Sequence, residues 1–148
     1  DIVVHPQSII HSMIEFKDKS IKAQIGIPDM RIPINYALNY PQHSYLDMPS
    51  LDFSSISKLT FEKPDLIKFK CIDLAYEALK SGGTSTTVLN TANDISVNLF
   101  LSNKIKFIDI PMYIEKAIEK HNHISSPSLE DIYYLMDWTN DFINQQMN

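Results

Sequence analysis

Apolar and polar residues near the start of the chain alternate with a period of two, which is typical of β-strands. From residue 9 to 16 this alternation predicts two faces, one with Ile10, Ser12, Ile14 and Phe16 and the other with Ile9, His11, Met13 and Glu15. Because both faces carry apolar residues, we expect the start of the strand to be covered on both sides. A polar segment at 17–20 and a second apolar segment, Ile21 to Ile25, then predict an antiparallel hairpin that stops at Gly26.

Lys19 lies where a tight hairpin turn favours glycine. A lysine in the left-handed conformation costs about 1 to 2 kcal/mol unless the loop is longer. The chain also opens on Asp1 followed by the β-branched run Ile2-Val3-Val4, which is typical of the interior of a sheet. We therefore expect a C-terminal piece of a longer protein, whose partner segment lies upstream.

Prolines divide the middle of the chain. Pro33 suits the first turn of a short helix at about 33–39, and Pro41 ends it. Residues 46–66 are predicted to be a connector, with a candidate edge strand at 58–61 that Pro64 would end.

After residue 66 the apolar period changes to about 3.6, which predicts amphipathic helices. A first helix ends at Gly82-Gly83, and three more are expected at about 86–101, 110–120 and 128–146. Asp109 is a predicted N-cap, and Ser128 and Asp131 have the spacing of a capping box. The predicted fold is α+β: a sheet hairpin with a short helix, then the connector, then a C-terminal four-helix bundle at 67–148.

Composition and charge exclude several classes of function. A net charge of -5 and a pI near 5.4 provide no basic surface for nucleic acid. No apolar run is long enough to cross a membrane, so no membrane association is expected. The single Cys71 fits a reducing compartment, and its helical apolar surroundings favour a buried, unreactive thiol.

By residue type alone, the histidines are candidates for structural as well as chemical roles. A histidine in a strand is more often a hydrogen-bonded structural group than a catalytic one, so His5 and His11 each need a specific neighbour. His121 and His123 resemble a metal-ligand pair but lie at a helix end without an evident third ligand. Trp138, with Tyr133 and Tyr134, is expected to pack in a core stripe of the last helix. The only glycines, Gly26, Gly82 and Gly83, form no nucleotide-binding loop.

Several uncommon strings occur together in one order along the chain. They are His5-Pro6-Gln7-Ser8-Ile9-Ile10-His11-Ser12-Met13, Ala23-Gln24, Gly26, Pro28-Asp29-Met30-Arg31, Pro33-Ile34, Leu51-Asp52, Leu59-Thr60-Phe61, Leu74-Ala75-Tyr76-Glu77-Ala78 and Leu89-Asn90-Thr91-Ala92-Asn93. In this order the chain resembles the 1-deoxy-D-xylulose 5-phosphate reductoisomerase family, in register from Ile2 to about Ile110. The last helix matches by type and position only.

The resemblance implies part of an enzyme. Family members use NADPH and Mg²⁺ or Mn²⁺ to rearrange and reduce 1-deoxy-D-xylulose 5-phosphate to 2-C-methyl-D-erythritol 4-phosphate in non-mevalonate isoprenoid biosynthesis. It further implies that residues 1–45 end the catalytic domain, that the hairpin at 9–25 contributes to a homodimer, and that the protein is cytoplasmic or in a plastid. His11 then matches the active-site histidine, while Pro28 and Met30 match the pocket beside substrate and nicotinamide.

The resemblance also implies what this chain lacks. The metal carboxylates, the residues that grip the substrate phosphate and the nucleotide loop would all lie upstream, so the chain alone is expected to be inactive and to hold no metal ligand. Lys19 and Lys70 depart from the family pattern of Gly and Pro at these positions. The alternative is a stand-alone helical module with a structural or interaction role and no catalysis.

Overall fold

The computed structural model describes residues 1–147 and divides into two units, the first at Asp1–Pro64 and the second from Asp65 onward. The first unit holds strands β1 (Ile10–Glu15) and β2 (Ile21–Ile25) and helix α1 (Arg31–Asn39). The second holds α2 (Cys71–Ser81), α3 (Ser85–Leu101), a 3-10 turn (Phe107–Asp109), α4 (Ile110–Lys120) and α5 (Leu129–Gln146). The described chain is α+β, as the sequence predicts.

Strands β1 and β2 form the predicted antiparallel hairpin, but its register contains a bulge at His11. Ile10 pairs with Ile25 and Ser12 pairs with Gln24, so β1 advances by two residues where β2 advances by one. His11 is the extra residue. Because side chains alternate with a period of two, the extra residue moves Ile10 to the other face, the one that carries Met13. The predicted grouping of Ile10 with Ser12 was wrong, since strict alternation assumes an unbroken ladder.

The turn of the hairpin spans Lys17 to Lys19. It is closed by the amide of Phe16, which donates to the Ser20 carbonyl at 2.9 Å, and by the amide of Lys19, which donates to the Phe16 carbonyl at 2.9 Å. Lys19 has a φ of 72°, in the left-handed region. The strain predicted at this position is therefore present even in a three-residue loop.

Replacing Lys19 with glycine is expected to strengthen the hairpin, because glycine adopts positive φ without a Cβ clash. The expected gain is about 1 kcal/mol after allowing for the greater freedom of glycine in the open state, or roughly five-fold slower hydrogen exchange. The readout is the Phe16 amide, whose bond to Ser20 closes the loop. Lys17→Gly is the matched control and should speed exchange, since Lys17 does not have positive φ. Faster exchange in Lys19→Gly would contradict the strain argument.

Helix α1 begins two residues before the predicted start at Pro33. The Asp29 carboxylate accepts the backbone N–H of Arg31, the first helical residue, at 2.8 Å. Pro33 is then the third residue of α1, where a missing N–H costs no intrahelical bond. The candidate edge strand at 58–61 was wrong: only an isolated bridge between Val4 and Glu62 forms, and side chains bond the backbone at Thr60 instead.

No residue of the first unit, at 1–64, is fully buried. Ile14 on β1 is 63% exposed and Ile21 on β2 is 60% exposed. The expectation that β1 is covered on both sides is thus not met within this unit, because a two-stranded sheet and one short helix have too little surface to enclose a core.

The second unit has a continuous apolar core. Helix α3 lies against α2, α4 and α5. Each helix contributes residues at spacings of three or four, as the predicted stripes require. The buried apolar residues of this cluster are Leu74, Val88, Ala92, Ile110, Tyr113, Ile114, Ala117, Leu135 and Ile143. Trp138 is half-buried against it and stacks on Phe142 with ring centroids 5.1 Å apart, so its expected packing role is confirmed. Tyr133 and Tyr134 are 60% and 66% exposed, so their predicted packing was wrong, because residues one and two positions before Leu135 point away from the core stripe.

Among helices α2 to α5, only α5 begins at a side-chain cap. The predicted capping box is present: the Asp131 amide donates to Ser128 Oγ at 3.1 Å, and the Ser128 amide donates to Asp131 Oδ2 at 2.9 Å. Asp109 precedes α4 as predicted, but its carboxylate accepts the Lys106 amide and does not cap α4. Helix α2 starts at Cys71, after a turn in which the Asp65 carboxylate accepts the amides of Ile67 and Lys68.

Candidate functional site

The bulge on β1 carries His11 to the wall of a cavity of about 470 Å³ in the first unit. The loop between β2 and α1 forms the opposite wall. The polar and apolar groups that face each other here include Ser8, His11, Ser12 and Gln24 from the strands and Pro28, Asp29 and Met30 from the loop. The three residues singled out by the sequence, His11, Pro28 and Met30, therefore line one cavity.

The walls of this cavity differ in chemistry. His11 Nδ1 lies 3.3 Å from the Ile9 carbonyl oxygen, which can only accept, so that nitrogen carries the proton in this contact. Nε2 is then the nitrogen left to exchange a proton or accept a hydrogen bond. Opposite it, Met30 is 70% exposed and offers a flexible apolar surface. The site suits a polar molecule with an apolar or planar portion.

The loop wall is held by the pair of Asp29 and Arg31, to which the sequence alone assigned no role. The Arg31 guanidinium donates to both carboxylate oxygens of Asp29, with the shortest contact 2.8 Å from Nη2 to Oδ2. These side-chain bonds, with the Arg31 backbone N–H, lower the pKa of Asp29 to about 2. The fork fixes the residues on either side of Met30. Its sequence signal was an acidic residue two positions before the first helical residue.

We expect Asp29 to titrate near pH 2 in the folded chain. Its ordinary pKa of 3.8 is lowered to about 2 because the ionised form is bonded. The stabilisation is therefore complete above pH 3.8 and is lost as the pH falls through about 2. Carboxyl ¹³C shifts measure this directly. Arg31→Met should raise the pKa of Asp29 but leave it below 3.8, since the backbone N–H at residue 31 remains. An unchanged pKa in Arg31→Met would contradict the fork.

His5 is not on the wall of this cavity. Its Nδ1 bonds the Thr60 carbonyl at 2.8 Å, and its ring stacks on Phe61 with centroids 4.9 Å apart. The neighbour that the sequence argument required is therefore the segment around Thr60. Its Nε2 is buried, and no residue described by the structure hydrogen-bonds it.

The side chains of the second histidine pair, His121 and His123, hydrogen-bond backbone carbonyls. His121 follows α4 and its Nδ1 bonds the Ile118 carbonyl at 2.7 Å, which satisfies an open carbonyl of the helix end. His123 Nε2 lies 3.3 Å from the Gly82 carbonyl. Within residues 1–147 no three His, Cys, Asp or Glu side chains come together as a metal site. Burial raises the pKa of the half-buried Cys71 thiol, which agrees with an unreactive role.

Comparison with known proteins decides the family. A family model described as the DXP reductoisomerase C-terminal domain matches residues 25–142. The chain belongs to the 1-deoxy-D-xylulose 5-phosphate reductoisomerase family. Because the match covers most of the chain, the resemblance read from the sequence is confirmed. The reductoisomerase of Thermoanaerobacter sp. (strain X514) is 59% identical over 133 residues, which is 89% of this chain and 35% of that protein.

Solved reductoisomerase structures agree. The enzyme from Zymomonas mobilis, in complex with NADPH, superposes with a TM-score of 0.89 at 42% identity and covers 99% of this chain and 39% of its own. A reductoisomerase in complex with NADPH, fosmidomycin and magnesium gives a TM-score of 0.90 at 32% identity, over 98% of this chain and 38% of its own. This chain thus spans little more than a third of its reductoisomerase relatives.

The helices of this reductoisomerase-family chain are 18 residues long or shorter in the described range. Within residues 1–147, none has both the length and the hydropathy that crossing a bilayer demands.

Proposed function

We propose that this chain is the C-terminal part of an enzyme that rearranges 1-deoxy-D-xylulose 5-phosphate and reduces it with NADPH to 2-C-methyl-D-erythritol 4-phosphate. The observation that carries the proposal is the cavity in which His11 faces Pro28 and Met30 in a chain of the reductoisomerase family. The NADPH and magnesium complexes of its relatives support the cofactors. Family membership also favours the enzyme over the stand-alone module.

Within this proposal, His11 is the group that contacts the reacting sugar phosphate. Its Nε2 donates or accepts a hydrogen bond at a substrate oxygen, while Nδ1 stays oriented by the Ile9 carbonyl. Pro28 and Met30 exclude water from the opposite side and offer an apolar surface to a flat ring such as nicotinamide. When bound, NADPH supplies the hydride.

The metal that family members use is not assigned to the described residues of this chain. Residues 1–147 contain no cluster of three His, Cys, Asp or Glu side chains, so the described residues do not fit the Mg²⁺ or Mn²⁺ that family members use. We therefore derive no step through the metal from this chain. The proposal assigns the metal ligands, the nucleotide-binding loop and the residues that grip the substrate phosphate to another part of the full-length protein.

The finer organisation follows the same proposal. Residues 1–45 would end the catalytic domain, 46–66 would be the connector, and 67–148 would form a four-helix bundle that supports it. The hairpin at 9–25 would contribute to a homodimer, which the exposed Ile14 and Ile21 support because apolar strand residues gain stability when covered. A cytoplasmic or plastid location is supported by the lone free cysteine.

The test is an assay of NADPH oxidation and of product formed from 1-deoxy-D-xylulose 5-phosphate with Mg²⁺. The full-length protein that carries this chain should turn the substrate over, whereas the 148-residue chain alone should not. Absence of turnover by the folded, full-length protein would refute the enzyme proposal. Turnover by the isolated chain would refute the assignment of metal and NADPH ligands to another segment.

A further inference from the structure

A polar clamp joins the residues before His11 to a segment more than fifty positions later in the chain. The Gln7 side-chain amide donates from Nε2 to Thr60 Oγ1 at 2.7 Å. Its Oε1 accepts the Thr60 backbone N–H at 3.1 Å. One amide thus bonds both the hydroxyl and the backbone of Thr60, which fixes its orientation as well as its distance.

Two further contacts extend this clamp along the same pair of segments. Val4 and Glu62 exchange backbone hydrogen bonds of 2.9 Å in both directions. His5 donates from Nδ1 to the Thr60 carbonyl and stacks on Phe61. The segment at 60–62 therefore contacts three of the four residues that precede Ser8, although more than fifty residues separate the two segments along the chain.

These bonds matter because, among the hydrogen bonds of residues 1–64, they are the ones that tie the turn at His5 to Ser8 to a remote segment of the chain. No residue at 1–64 is fully buried, so close packing does not decide its position. The turn is closed by the Ser8 amide, which donates to the His5 carbonyl at 3.0 Å. Where a core is absent, hydrogen bonds of high sequence separation are the contacts that set a segment's place.

The backbone after the turn is unusual at the residues that enter the cavity. Ser8 has a φ of 51°, which costs an L-residue about 1 to 2 kcal/mol. The bulge at His11 follows three residues later, and both Ser8 and His11 line the cavity. Strain of this kind persists only where the surroundings impose it. We assign this constraint on the backbone of Ser8 to the clamp.

We propose that Thr60 is a positioning residue: through Gln7 it fixes the His5-to-Ser8 turn, and the turn sets how Ser8 and His11 face the cavity. The inference rests on the proposed function, since it gives that geometry a catalytic purpose. Thr60 touches no reacting atom in this scheme. Its effect passes through Gln7 and the backbone to His11.

The experiment replaces Thr60 in the full-length protein with valine, which keeps the shape but removes Oγ1. Thr60→Val should lower kcat about ten-fold, with KM for the sugar phosphate changed less than about two-fold, because misplacement of a catalytic group affects the transition state more than binding. Thr60→Ser, which restores Oγ1, should recover kcat to within about two-fold of the parent. Thr86→Val, on the exposed start of α3, is the matched control and should leave kcat unchanged.

Gln7→Met supplies an independent variant of similar length without the amide. Gln7→Met should lose at least as much kcat as Thr60→Val, because it removes both bonds to Thr60, and the double variant should lose no more than Gln7→Met alone. Additive losses would overturn the inference. So would a Thr60→Val protein with full kcat, or a Thr60→Ser protein as impaired as Thr60→Val.

A second readout separates this inference from the proposed function. Amide relaxation at Ser8 and His11 should show larger motion in Thr60→Val than in Thr60→Ser. If the parent protein has no reductoisomerase activity, the proposed function fails, and the relaxation result alone then decides the positioning role. Unchanged relaxation in Thr60→Val would overturn it whatever the activity.

Discussion

Replacing His11 with glutamine is expected to lower kcat of the full-length protein by about 100-fold to 10,000-fold, the usual contribution of a group that transfers or shares a proton. Glutamine retains hydrogen-bonding atoms and similar length but cannot titrate. The fold should survive, because His11 is exposed and its side chain hydrogen-bonds only the Ile9 carbonyl, at 3.3 Å, among residues 1–147. Steady-state kinetics and thermal unfolding measure the two effects separately.

The control for this change is His123→Gln. His123 is also exposed and also contacts one carbonyl at 3.3 Å, that of Gly82, but it lies in the second unit. Its replacement should leave kcat within about two-fold of the parent, the scatter expected of a group outside the site. An unchanged kcat in His11→Gln would show that the role of His11 is structural and not catalytic.

Replacing Ile114 with alanine is expected to cost about 2 to 5 kcal/mol of unfolding free energy, through lost burial and the cavity left behind. Ile114 is 2% exposed and lies in the core shared by α2 to α5. Urea unfolding of the 148-residue chain, followed by helical circular dichroism, measures the cost.

Ile108→Ala is the matched control for the core. Ile108→Ala is the same chemical change six residues before Ile114, but Ile108 is 74% exposed. Its replacement should alter the unfolding free energy by less than about 0.5 kcal/mol. Equal costs for the two variants would show that the helical unit is not stabilised by the described core.

The helices were predictable because their signals are local. Apolar residues recur at 3.6 spacing, and Ser128 with Asp131 forms the cap that their spacing predicts. The turn before α2, in which the Asp65 carboxylate accepts two amides, was not predicted, because periodicity does not register bonds of this kind.

The geometry around His11 was predictable only in part. The hairpin and its turn follow from alternation, but a bulge depends on how two strands pair, and residue types near His11 do not encode it. The clamp of Gln7 on Thr60 was missed for a related reason: its members are far apart in sequence and each is an ordinary polar residue. Recognition of the family supplied roles for His11, Pro28 and Met30 that residue type alone left open.

The most direct test of the account is a hybrid enzyme. It joins the part of the Thermoanaerobacter reductoisomerase that precedes its match to this chain, and the chain itself, which is 59% identical to the replaced portion over 133 residues. If this chain is a reductoisomerase C-terminal part that supplies the His11 wall, the hybrid should convert 1-deoxy-D-xylulose 5-phosphate with NADPH, and His11→Gln in the hybrid should lower kcat by about 100-fold to 10,000-fold. A folded hybrid that binds NADPH but forms no product would contradict it.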